Sequence, residues 1–210
     1  MLLQRLCEYA DRLTLPPTLY NKVPVRYIIE LDGAGRLLTP QPVDTADRSD
    51  PQTRRGQLRL MPQVRRTVAI KPLLLADNAE YTLGLPREKS SPVRVRECHQ
   101  AYVALVKRCA AVTGEPAVRA VATFLQAEPL TRLDLPADFD RSATITFRVD
   151  GDFPTDLPAV QAFWAMENDP AAVSHGPTPV LQCLVCGQKR PALARLQAAL
   201  KGVPGGQPSG

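Results

Sequence analysis

Aromatic side chains are scarce in this sequence, at 5% with Trp164 the single tryptophan, so a core has to be assembled from Leu, Val and Ala. Long apolar runs are missing as well. No stretch approaches the ~20 residues that span a bilayer, and the opening MLLQRLCEYADRL places acids and arginines where a secretory signal needs an apolar segment. A cytoplasmic protein with no membrane partner is expected. Histidine is limited to His99 and His175, and neither stands in a Ser, Cys and acid pattern that would support nucleophilic catalysis. The glycine clusters GAGR and GVPGG lack the lysine and spacing of a phosphate-cradling loop. Five cysteines, odd in number and irregularly spaced, exclude a simple disulfide framework and fit a reducing compartment.

What is present is a chain of 210 residues with 44% hydrophobic and 22% charged side chains, long enough to bury a core and ordinary enough in composition to fold. Its charge is unevenly spread. Residues 48–108 hold 13 basic and 5 acidic side chains, whereas residues 109–169 hold 4 basic and 10 acidic. The tail 170–210 has four basic residues and no acid. A basic block beside an acidic one marks a directed surface, with one face for polyanions and another for a basic partner or for solubility.

Leu2, Leu6, Tyr9 and Leu13 recur at helical spacing before Pro16-Pro17, predicting an opening amphipathic helix with its stripe in the core. VPVRYIIEL (23–31), DGAG and RLLTP together predict a β-hairpin with a glycine-bearing turn. Residues 40–60 are rich in turn formers and arginine and predict an exposed loop with Arg54 and Arg55 near its tip. Residues 67–85 predict an extended segment followed by a turn or short helix. Val95, Cys98, Tyr102, Leu105, Val106 and Cys109 predict a helix closed by Gly114, and Pro116 opens a second one. TITFRVDG (144–151) predicts a strand and turn, 157–166 a helix, and 179–187 a strand. The expected class is α+β, with a main domain over residues 1–170 and a connecting segment over 171–210.

Cys183 and Cys186 have the spacing that brings two thiolates onto one metal, but a structural zinc site needs a second pair. Cys7, Cys98, His99, Cys109 and His175 form none, so the expectation is buried free cysteines and no metal or other cofactor. Asp134, Asp138, Asp140, Asp150, Asp152 and Asp156 could be arranged as a two-metal nuclease site, yet they fall in turn-like stretches where Asp satisfies loop backbone. The arginines are more informative. Arg48, Arg54, Arg55, Arg59, Arg65, Arg66 and Lys71 share residues 48–71 with one acid, Asp50. Such a run can neutralise several phosphates, and arginine also supplies a bidentate fork for phosphate or guanine. Asn78 and Gln57 are residue types that read adenine edges.

Three segments carry a family resemblance: the opening helix with YIIELDGAGRLL, then VRRTVAIKPLLLADNAEYTLGL (64–85), and QCLVCGQKRPALARLQAALKGVPGGQPSG (182–210). In order and spacing they resemble the large subunit of the type I-C, or Dvulg-subtype, CRISPR Cascade effector. Ala76, Cys186 and Gln188 depart from it, standing where that family usually has tryptophan, threonine and an acid. The resemblance implies a non-enzymatic role in antiviral defence. Guide RNA pairs with the target strand while protein reads a short adjacent duplex motif. The implied partners are target double-stranded DNA, crRNA, other Cascade subunits and a recruited helicase-nuclease that does the cutting. It also implies that a C-terminal helical bundle is missing from 210 residues. On this reading Arg54, Arg55, Arg65 and Arg66 contact phosphates, and Lys71 and Asn78 face the DNA groove or shape the loop. Asp77 braces that loop, since an acid beside phosphate is repulsive. The rivals are a metal-dependent nuclease using the aspartates and a crRNA- and protein-binding scaffold that does not read DNA.

Overall fold

The computed structural model describes residues 4–5, 8–9, 12–13, 15–47, 49–64, 66, 69–88, 90–127, 129–169, 179–184 and 186–192. Two compact units divide the chain, Pro16–Glu167 and a second made of Met1–Leu15 with Asn168–Gly210. The larger unit is α+β.

Its organising element is β1 (Tyr20–Leu31), a run rich in β-branched and aromatic residues whose alternate side chains Tyr27, Ile29 and Leu31 enter the main core. On one side β1 pairs antiparallel with both β2 (Val43–Asp44) and β3 (Gln57–Pro62). On the other it pairs parallel with β5 (Thr144–Val149), which in turn pairs antiparallel with β4 (Ala76–Asp77). The order across the sheet is therefore β2 and β3, β1, β5, β4.

Helices α2 (Pro92–Thr113) and α3 (Pro116–Gln126) join the Tyr27, Ile29, Ile145 and Phe147 face in one core. Each opens with proline at its start, where the missing N–H costs nothing, and α2 stops at Gly114. The six apolar positions that predicted α2 are all buried. Phe124 meets Phe147 edge-on at 6.1 Å, and Tyr27 stacks on Phe139 at 4.4 Å. The short helix α1 (Ala79–Thr82) follows β4, and α4 (Pro158–Glu167) brings Trp164 into the core, its indole N–H donating to the Leu19 carbonyl at 3.2 Å. A smaller cluster of Val25, Ile28, Met61 and Ala76 with Phe153 occupies the opposite face.

Several expectations are corrected. The turn after β1 forms, with the Asp32 carboxylate accepting from the N–H groups of Ala34 and Arg36, but RLLTP contributes one bridge, Leu37 to Leu31, and no strand. Pro40 and Pro42 withhold ladder donors there. Residues 40–60 are not wholly loop, since β2 and most of β3 lie within them. In the smaller unit Gln4, Arg5, Glu8 and Tyr9 are helical, but Tyr9 and Leu13 are exposed and do not form a core stripe. Leu2 and Leu6 lie outside the described residues. The predicted strand over 179–187 ends early and is a hairpin of β6 (Val180–Gln182) and β7 (Lys189–Pro191).

Candidate nucleic-acid interface

Between β2 and β3 the chain leaves the sheet as an arm, residues 45–56, and returns to the same edge of β1. Its base is clamped from both limbs. Thr45 N–H donates to the Arg26 carbonyl at 2.8 Å, its hydroxyl donates to the Val25 carbonyl at 2.5 Å, and the same oxygen accepts from the Gln57 N–H at 3.0 Å. Gly56 lies against β1 with φ +112, where an added Cβ would sit 2.2 Å from the Val25 carbonyl oxygen. Only glycine fits that position.

Within the arm the acids serve the loop itself. Asp47 accepts from the Ser49 N–H at 2.9 Å and from its hydroxyl, which holds the Asp47 carboxyl below its ordinary value. Asp50 accepts from the Gln52 N–H and the Thr53 hydroxyl. Arg54 and Arg55 are exposed, and among the described residues neither has a carboxylate partner. They sit on the returning limb beside Gly56 rather than at the tip.

The second predicted group lies at the opposite edge, around β4. Asp77 is 3% exposed and accepts from four donors: both terminal nitrogens of Arg66, one at 2.9 Å, the Leu73 N–H at 2.9 Å and the Asn78 N–H at 2.8 Å. Burial pushes the Asp77 carboxyl up, and the Arg66 fork and the two main-chain N–H groups pull against it. Arg66 also donates through Nε to the Lys71 carbonyl at 2.8 Å and lies over the Tyr81 ring at 4.4 Å. Its guanidinium thus uses all three nitrogens in bonds within the protein, while the side chain stays 28% exposed. Asn78 caps α1, its side-chain oxygen accepting from the Glu80 N–H at 3.1 Å, which fixes the side chain against the helix. Lys71 remains exposed, with no carboxylate partner among the described residues.

The basic run therefore splits. Arg59 is tied to Asp156 at 2.9 Å and lies 3.5 Å over the Phe153 ring, and Arg66 is tied to Asp77. Among the described residues Arg54, Arg55 and Lys71 have no carboxylate partner. Arg48 and Arg65 lie outside the described residues. Strand order puts β1 and β5 between the arm and β4, so the two groups leave from opposite edges of the sheet. The sequence reading missed the clamp residues Thr45 and Gly56. A lone threonine and a lone glycine eleven positions apart carry no local signal.

The aspartates are dispersed. Asp134 accepts from Gln41, Asp140 from the Ser142 N–H, and Asp156 from Arg59. Among the described residues no three His, Cys, Asp or Glu side chains lie where they could hold a metal ion. Cys183 is half-buried and Cys186 exposed, correcting the expectation of burial, while Cys98 and Cys109 are buried. Burial pushes the Cys109 thiol up to about 12. Iodoacetamide at pH 8 should therefore label Cys186 ahead of Cys98 and Cys109, which should react only after denaturation. Peptide mass spectrometry after timed quenching reads that order directly.

A family model described as CRISPR-associated protein (Cas_Csd1) matches residues 4–210, and the chain belongs to that family. It is thus a CRISPR-associated protein. No curated protein matches it. Among the described residues no helix is long and apolar enough to cross a membrane.

Proposed function

We propose that this chain is a non-catalytic DNA-recognition part of the large subunit of a type I-C Cascade complex. It holds the duplex beside the target and reads the short adjacent motif while crRNA pairs with the target strand. Arg54 and Arg55 contact phosphates from the arm, and Lys71 contacts them from the β4 edge. Asp77, Arg66 and Asn78 shape the loop that presents Lys71. Other Cascade subunits and crRNA complete the surface, and a recruited helicase-nuclease cuts. The observation that carries this reading is the arm, whose acids Asp47 and Asp50 are used internally and whose Arg54 and Arg55 have no carboxylate partner among the described residues, all on a clamped base.

Fluorescence anisotropy of the chain with motif-bearing and randomised duplexes, over a salt series without divalent metal, tests it. Steep salt dependence with a motif preference is expected. Arg54→Ala with Arg55→Ala should lower the log–log salt slope by about 1.8, two phosphates at ~0.9 each, without changing the preference. An unchanged slope sinks the arm assignment. Salt dependence without preference would favour a phosphate-binding scaffold, and cutting on addition of Mg²⁺ would favour a nuclease.

A further inference from the structure

A groove of about 510 Å³ opens between the first turns of α2, the segment after α1 and the turn Pro129–Thr131. That volume lies within the roughly 300–1,000 Å³ range of ligand sites. Val95, Arg96 and His99 share one face of α2, where positions three and four apart are neighbours. Leu83 and Pro86 form one wall, and Leu130, 40% exposed, forms another.

The polar groups in this apolar setting are few and oriented. His99 Nδ1 is 2.8 Å from the Tyr81 carbonyl oxygen, which can only accept, so the proton sits on Nδ1 and Nε2 is an acceptor in the neutral ring. The ring lies against Gly84, where an added Cβ would come within 3.4 Å of it. Arg96 is exposed, with no carboxylate partner among the described residues. On the Pro86 wall Arg141 donates to the Pro86 carbonyl at 2.7 Å, bringing a second exposed cation to the rim. Among the described residues no acid and no Phe, Tyr or Trp lines the groove.

We propose that this groove seats an extended acidic segment of a partner protein. Aliphatic anchor side chains enter the cleft, flanking carboxylates meet Arg96 and Arg141, and His99 Nε2 accepts one main-chain N–H. Charge complementarity selects an acidic partner. Nucleic acid is disfavoured because unpaired bases bind by stacking on extended aromatic faces, and among the described residues the walls are mainly proline and leucine with a single imidazole. This is a protein-docking surface separate from the arginine arm.

The test uses a fluorescein-labelled hexapeptide alternating Leu and Glu, with an alternating Leu and Lys hexapeptide as control, read by anisotropy on the full chain. The Leu–Glu peptide should bind and the control should not. Arg96→Glu should weaken the Leu–Glu peptide roughly five- to tenfold and admit the Leu–Lys peptide. Leu130→Asp should abolish binding of the Leu–Glu peptide. Each site is exposed, and an unchanged melting curve verifies the fold of each variant. No Leu–Glu binding at about 1 mM overturns the proposal, as does binding that neither variant alters. Binding of decanoate without the peptide would assign the groove to a small amphiphile. Binding of oligothymidylate that Arg96→Glu removes would assign it to nucleic acid. Either result overturns the proposal.

Discussion

Asp77→Ala should cost about 3–5 kcal/mol of stability, the range seen when one partner of a buried ion pair is removed. The substitution strips the acceptor from the Leu73 and Asn78 N–H groups and from the Arg66 fork in one step. It also leaves a guanidinium against the Tyr81 ring without the carboxylate that pairs with it. Arg66→Ala should be comparably severe at pH 7, because it strands a carboxylate that is 3% exposed. The two lesions differ in their response to pH. Burial already raises the Asp77 carboxyl in the folded protein, and losing Arg66 raises it further above its unfolded value of about 3.9. An acid whose folded pKa is raised favours the native state as pH falls through that pKa, since the native state then binds more protons. The gap in urea midpoint between Arg66→Ala and the parent chain should therefore narrow from pH 7 to pH 5. The Asp77→Ala gap should not narrow. In a double-mutant cycle the pair together should cost less than the sum of the two singles.

Gly56→Ala is the second large effect, expected at about 3 kcal/mol or more. The backbone there has φ +112, a region that costs an L-residue about 1–3 kcal/mol by itself. The clash adds to that cost, because the atom met at 2.2 Å is a β1 carbonyl oxygen that cannot swing aside without disturbing the β1–β3 ladder. Thermal unfolding should show the loss. Gly114→Ala serves as the control, since an added Cβ meets nothing within 4 Å there although its φ is also positive. If Gly56→Ala proves no worse than Gly114→Ala, the close approach of the arm to β1 is not as described. Because Gly56 anchors the limb that carries Arg54 and Arg55, the same substitution should also weaken duplex binding.

The helices were legible because their signals are local. Val95 through Cys109 repeat at helical spacing, and Pro92, Gly114 and Pro116 mark where the helices start and stop. The strand β5 was legible for the same reason, as a short β-branched run before a turn. β3 was not. Its buried residues Met61 and Pro62 are adjacent and follow the exposed Leu58, so QLRLMP shows no clean alternation until Tyr20–Val25 is laid beside it. The basic run was correct as composition and misleading as surface. One acid, Asp50, occurs within residues 48–71, yet Arg66 is neutralised by a carboxylate 11 positions away and Arg59 by one 97 positions away. Arg54 and Arg55 are set apart from those two by tertiary pairing, which composition does not record.

The placing of β1 also has a consequence for how the chain is made. Its N-terminal half finds β3 early, once residue 62 has left the ribosome, but its parallel neighbour is residues 144–149. Until those residues emerge, Tyr27, Ile29 and Leu31 lie on a strand with one edge open. Pairing at such long range raises contact order and slows folding, and an open apolar edge invites intermolecular pairing meanwhile. Nascent chains halted before residue 144 should accordingly need holding by chaperones, whereas chains released after residue 167 carry every strand that β1 requires.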